Sequence, residues 1–136
     1  MIERYTRPAM GEIWSDDNRL RAMLRVEEEL LRAIAPDKGV PASELKALRR
    51  LLDKSMLDAA RRKESVAGHE VIGMLSAVAG ELKSKAPKVD RYLHYGMTSS
   101  DVLDTSMALQ LRDSADLLIA GLEAVSKRLK SLARKH

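Results

Sequence analysis

An all-α fold is what this 136-residue sequence predicts, and three observations carry the prediction. Apolar residues recur at helical spacing in segment after segment. Phe is absent and aromatics make up only 3% of the chain, so the core must come from Leu, Val, Ile, Met and Ala, which suits helices. From about Ser100 onward, Met107, Leu111, Ala115, Leu118, Leu122, Val125, Leu129 and Leu132 step by 4, 4, 3, 4, 3, 4 and 3, close to a heptad seam.

The elements follow in order. Met1 to Met10 reads as an extended lead-in, since Pro8 biases Arg7 away from helix. Arg4 beside Tyr5 is either part of a mobile terminus or a phosphate clamp. A first long helix begins near Ser15-Asp16-Asp17, a cap followed by first-turn acids. Its face carries Leu20, Met23, Leu24, Leu30, Leu31 and Ile34, interrupted by Glu27, and Pro36, Lys38-Gly39 and Pro41 close it. A shorter helix starts near Ala42-Ser43-Glu44, with Leu45, Leu48, Leu51 and Leu52 on one face. Met56 to Val66 is a further, strongly charged helical piece.

Gly68 then breaks the pattern as a hinge or cap, and a helix runs to about Lys83 on Val71, Met74, Leu75, Val78 and Leu82. Ser84 to Asp90, with Pro87, reads as a linker. The last helix, about 37 residues, would reach ~55 Å. That is too long for a compact domain of this size, so either the chain is an obligate oligomer or it is cut short of its natural length.

Composition narrows the function. One domain's worth of chain, 45% hydrophobic and 32% charged, is ordinary for a soluble helical protein. No apolar run approaches the ~20 residues that span a bilayer, and no signal-peptide layout opens the chain. There is no cysteine, hence no disulfide or thiolate metal site, and the expected compartment is the cytoplasm. The net charge of +4 gathers at Arg49-Arg50, at Arg61-Arg62-Lys63 and in the tail from Lys127 to Lys135. No aromatic lies near these clusters to stack on bases, so they read as solvated helix faces and not as a nucleic-acid surface. His69, His94 and His136 are scattered without metal-ligand spacing, and no metal is expected.

The stretch with chemistry in it is Tyr92 to Thr105, which sets His94, Tyr95, Gly96, Thr98, Ser99, Ser100 and Asp101 where a loop gives way to the long helix. Two readings stand at this level. Thr98, Ser99 and Ser100 are cap residues, with Asp101 in the first turn. Equally, a helix N terminus with hydroxyls and unpaired N–H groups can hold a carboxylate or phosphate. His69 has the same duality, as a cap or surface residue or as an acid, base or phosphate donor.

His94-Tyr95-Gly96-Met97-Thr98-Ser99-Ser100-Asp101-Val102-Leu103-Asp104-Thr105 resembles the signature segment of adenylosuccinate lyases, in the fumarase/aspartase superfamily. Met1-Ile2-Glu3-Arg4-Tyr5, Ile13-Trp14-Ser15 and Leu24-Arg25-Val26-Glu27 resemble further family segments, and His69-Glu70-Val71 lies where members carry a His-Asp-Val run. Here Gly68 replaces a basic or amide residue, and Glu70 replaces Asp.

The resemblance implies an N-terminal helical domain at 1–91, and at 92–136 the signature loop with the first long helix of a central bundle. It implies β-elimination of fumarate from adenylosuccinate to give AMP, and from the succinylated carboxamide ribotide, without cofactor. A related superfamily lyase, acting on a carboxymuconate or argininosuccinate, and a non-catalytic interaction module of the same fold are the alternatives. By resemblance, Arg4 and Tyr5 meet the nucleotide end of the substrate. His69, flanked by Gly68 and Glu70, lies at the phosphate or reacting centre. His94 belongs to the substrate loop, and Thr98 and Ser99 hold a succinyl carboxylate. The histidine and serine assigned in the family as acid and base have no counterpart in these 136 residues, so the chain alone is expected to be inactive. The expected partners are the small-molecule substrate and other copies of the chain along the long helix, with neither nucleic acid nor membrane.

Overall fold

The structure, a computed structural model, describes residues 3–52 and 56–135. Met1, Ile2, His136 and the side chains of Glu3 and Leu52 lie outside the described residues. The all-α prediction holds: the described residues form seven α-helices and no strand.

The lead-in differs from expectation. Glu3–Tyr5 is a single 3-10 turn, and α1 spans Pro8–Ile13. Pro8 opens this helix, where its missing N–H costs nothing and its fixed φ suits the first turn. The restraint on Arg7 was real, since Arg7 is extended at the N-cap, but it marks a helix start and not a helix-free segment.

Helix α2, Asp16–Lys38, begins as the sequence predicts. Ser15 Oγ accepts the N–H of Asn18 at 3.1 Å, and Asp16 and Asp17 lie at the positive end of the dipole. Pro36 does not close it. The proline falls in the last turn, and the stop comes at Gly39, left-handed at φ 62°, whose N–H returns to the Ala35 carbonyl. Helix α3, Ala42–Leu52, buries Leu48 and Leu51 on the predicted face.

Helices α4, Leu57–Ala67, and α5, Glu70–Leu82, form the most extensive helix pair among the described residues. Gly68, at φ 66°, turns the backbone between them. Val71, Met74, Val78 and Leu82 are buried as the spacing predicted. Gly73 is the crossing point, because a Cβ built on it would lie 2.7 Å from the Glu64 backbone nitrogen.

The segment read as a linker contains a helix. Helix α6 spans Pro87–Tyr92, with Pro87 in its first turn. Its opening amides are capped from a distance: Glu44 Oε2 accepts the N–H of Lys88 at 2.7 Å and of Val89 at 3.1 Å. Lys88 Nζ in turn donates to the Gly39 carbonyl at 2.7 Å, which ties α6 to the end of α2.

Helix α7, Ser99–Lys135, is the predicted long helix at 37 residues. It runs antiparallel to α2: Gln110 lies level with Asn18, both donating to the Ile13 carbonyl, while His94 just before it meets Glu27. Its buried residues are Val102, Ser106, Gln110 and Ser114, a largely polar face. The heptad seam lies roughly 100° round the helix and is exposed, Leu122 at 69% and Leu129 at 60%. No described residue of α7 beyond Ser114 is buried.

Gly73→Ala is expected to destabilise the chain by about 1–3 kcal/mol, since the new methyl meets backbone that cannot swing aside. Gly121→Ala, where a Cβ meets nothing within 4 Å, should stabilise α7 by about 0.5–1 kcal/mol. Urea unfolding of the two variants beside the parent chain measures both signs.

Candidate functional site

Three groups of side chains were singled out by sequence, and α2 connects two of them. The first is the loop before α7. Tyr95 N–H bonds back to the Tyr92 carbonyl at 3.2 Å, Gly96 is left-handed at φ 75°, and His94 is left-handed without being glycine, at φ 61°. Such a conformation costs on the order of 1–2 kcal/mol in an ordinary L-residue. Glu27, 0% exposed in α2, compensates it: Oε2 accepts the His94 N–H at 2.8 Å and Oε1 lies 2.7 Å from Nδ1.

Beside it the Tyr92 and Tyr95 rings meet edge to face at 5.6 Å. Lys38 Nζ sits 4.6 Å from the Tyr95 ring centre and donates to its hydroxyl at 3.2 Å. That hydrogen bond, followed by the charge interaction with Tyr95, raises Lys38 above its usual 10.5.

At the start of α7 a capping box has formed. The Thr98 N–H and hydroxyl both donate to Asp101 Oδ2, at 2.7 and 3.0 Å, and the Asp101 N–H approaches Thr98 Oγ1 at 3.4 Å. The bond from the Thr98 backbone, then that from its hydroxyl, holds the Asp101 carboxyl below its usual 3.8. Thr98 is therefore occupied as a donor, while Ser99 and Ser100 open the helix with first-turn amides that have no intrahelical acceptor.

The second group is Gly68, His69 and Glu70. His69 occupies the N-cap position of α5 in extended conformation, but its side chain makes no capping hydrogen bond. Its Nδ1 is instead buried without any partner, the only such side-chain atom among the described residues. Glu70 pairs with Arg19 of α2 at 2.8 Å. Both line a cavity of about 170 Å³, together with Asp16, Arg61 and Glu64. Arg61 also pairs with Asp16, so the charges there are largely matched. Arg19 and Glu27 are eight residues apart, roughly 12 Å along α2, which puts the two groups on one rail.

The third group is not brought to them. Arg4 packs its guanidinium 4.8 Å from the Tyr5 ring centre. Tyr5 then lines a hollow with Met10, Leu117 and Leu118, roughly 28 Å down α7 from Thr98. Sequence reasoning missed Glu27 as a site residue. The signal was visible as an acid inside an apolar stripe, which must find a partner when buried. Among the described residues no cluster of His, Asp or Glu could hold a metal ion, and no helix is long and apolar enough to cross a membrane.

Comparison with known proteins places this geometry. A family model described as a lyase matches residues 3–136. Adenylosuccinate lyase of Aquifex aeolicus is 36% identical over 138 residues, covering 100% of this chain and 31% of that protein. The 3-carboxy-cis,cis-muconate cycloisomerase of Pseudomonas putida is 37% identical over 134 residues, covering 97% and 32%. The crystal structure of 3-carboxy-cis,cis-muconate lactonizing enzyme from P. putida superposes with a TM-score of 0.83 at 36% identity, over 97% of this chain and 31% of that one. The chain thus spans about a third of the length of these relatives.

The capping box gives a pH signature. Because the Asp101 carboxyl is held below its unfolded value, its contribution is fully present above about pH 3.8 and is lost as pH falls through the lower folded-state value. Asp101→Asn should lower the melting temperature at pH 7, and the gap to the parent should shrink as the pH falls below about 3.8, as read by thermal melts across that range.

Proposed function

The chain belongs to the lyase family whose model covers residues 3–136, and from that premise we propose that it forms the N-terminal part of an adenylosuccinate lyase. The all-α fold is that of the N-terminal helical domain of a fumarase/aspartase-type lyase with the first long bundle helix. In this reading residues 1–91 are that domain, and 92–136 are the signature loop and bundle helix. The observation that carries it is the buried, unpartnered Nδ1 of His69, in the histidine position that resembles the family's. A native interior rarely leaves such an atom unsatisfied, so a ligand group is its natural complement.

The reaction would be β-elimination: a base removes the proton beside a carboxylate, an acid protonates the departing nitrogen, and fumarate and AMP separate. His69, with Gly68 and Glu70 beside it, would meet the phosphate or the reacting centre. Thr98 and Ser99 would hold the succinyl end, His94 would meet the substrate beside them, and Arg4 and Tyr5 would meet the nucleotide end. Those two ends lie roughly 28 Å apart along one chain's α7, which suits a site assembled from several copies. The exposed seam of α7 supplies the surface for such assembly, buried in a homo-oligomer of a cytoplasmic enzyme. No cofactor is called for. The acid and base assigned by resemblance lie outside these residues, so turnover needs more sequence than these 136.

The muconate cycloisomerase likeness favours a second reading, in which a tricarboxylate replaces the nucleotide. A chimera separates them. This chain in place of the matching N-terminal third of the Aquifex enzyme is expected to release AMP from adenylosuccinate, with His69→Ala lowering kcat about 100-fold or more. A chimera that folds and assembles yet turns over only carboxymuconate would overturn the purine reading. AMP release by the 136-residue chain alone would refute the need for further sequence.

The seam has its own test. Sedimentation at micromolar concentration should find the chain associated, and Leu122→Lys with Leu129→Lys should give a monomer of unchanged helicity.

A further inference from the structure

A carboxylate 0% exposed has to find hydrogen-bond donors, and Glu27 finds both on one residue 67 positions away. Its Oε2 accepts the His94 N–H, and its Oε1 lies 2.7 Å from Nδ1. An ionised carboxylate can only accept, so Nδ1 has to carry a proton in this pair and the neutral ring keeps its lone pair on Nε2. Nε2 has no hydrogen-bond partner among the described residues. It is not buried either, because the buried, unpartnered side-chain atom of the described residues is His69 Nδ1 and no other. The loop backbone is clamped at the same time, since the His94 N–H is held in the left-handed region.

We propose that Glu27 is a positioning residue of the lyase site: it fixes His94 in the Nδ1–H tautomer, so that Nε2 is offered to the substrate as a hydrogen-bond acceptor. The role matches that of a carboxylate behind a catalytic imidazole, which sets tautomer and orientation without touching substrate. It rests on the lyase reading for what Nε2 meets, but not for the state of the ring. Neither composition nor spacing could assign it, because a two-point clamp on backbone and ring appears only in the fold.

Long-range proton–nitrogen NMR of the labelled 136-residue chain at pH 8, above the ordinary imidazole range near about 6.5, reads the tautomer directly. The expected result is a proton on Nδ1 of His94 and none on Nε2. A proton on Nε2 alone overturns the proposal, and this measurement needs no variant to fold.

Glu27→Gln supplies the second arm. Its amide oxygen can keep the main-chain N–H, but its NH2 then faces Nδ1, so the ring should switch to the Nε2–H tautomer. A folded Glu27→Gln chain that retains Nδ1–H removes the role assigned to Glu27, since a merely structural clamp would not move this signature. Adenylosuccinate, whose bridging N–H is a donor that fumarate lacks, added to the parent chain, tests the site reading. A shift at Nε2 supports it. No shift, with Nδ1 still protonated, leaves the role of Glu27 in place and counts against the lyase reading of the loop.

Discussion

The buried carboxylate of Glu27 is the constraint on which the loop side of the structure depends. It lies in the middle of α2, on the face that otherwise carries Leu20, Met23, Leu24 and Leu31. A charge there without donors would be costly enough to expel the side chain or neutralise it. Both donors come from His94, which supplies them from the left-handed region at φ 61°. The two bonds thus offset both the cost of the left-handed histidine and that of burying the acid. What results is a loop whose position relative to α2 is set by two short bonds, although it carries an exposed Gly96 and Tyr95.

Fixing the loop also fixes α7. The helix starts within five residues of His94, and its polar face then docks on α2 and α1 through Gln110 and the Ile13 carbonyl at 2.7 Å. Ser106 and Ser114 turn their hydroxyls back onto α7's own carbonyls, so this face can lie close to a neighbour without presenting unsatisfied groups. The contact within the chain is narrow and polar, while the wide apolar stripe faces away. Hydrophobic burial is the larger force per unit area, so the stripe from Met107 to Leu132 is where α7 has most to gain, and that gain lies outside its own domain.

Legibility in the sequence tracked the range of the interaction. Ser15 capping α2, Gly39 and Gly68 ending helices, and the 37 residues of α7 all depend on neighbours a few positions away, and each could be read. Helix α6 reads as a linker in the sequence because its cap, Glu44, lies more than 40 residues upstream. The lead-in reads as extended for a different reason, since Pro8 is equally compatible with an extended stretch and with the first turn of a helix. Of the candidate site, the hydroxyl cluster and His69 stood out by residue type. Glu27 did not, since its meaning depends on a partner 67 residues away. The missing hydrogen bond at His69 Nδ1 is likewise a fact of packing that no spacing encodes.

The N terminus of α7 already holds a carboxylate. Asp101 takes both donors of Thr98, at 2.7 and 3.0 Å, which is the geometry a bound succinyl carboxylate would need from the same residue. Two carboxylates cannot share those donors without their charges facing each other at close range. A ligand at this helix end must either use the amides and hydroxyls of Ser99 and Ser100 or displace Asp101 from its box. The second route gives up the cap that starts the longest helix in the chain, so it would couple occupancy of the site to the first turn of α7. The first leaves the helix intact and reserves Thr98 for structure. Which donors a carboxylate engages is therefore a choice between an unchanged α7 and one whose first turn responds to the ligand.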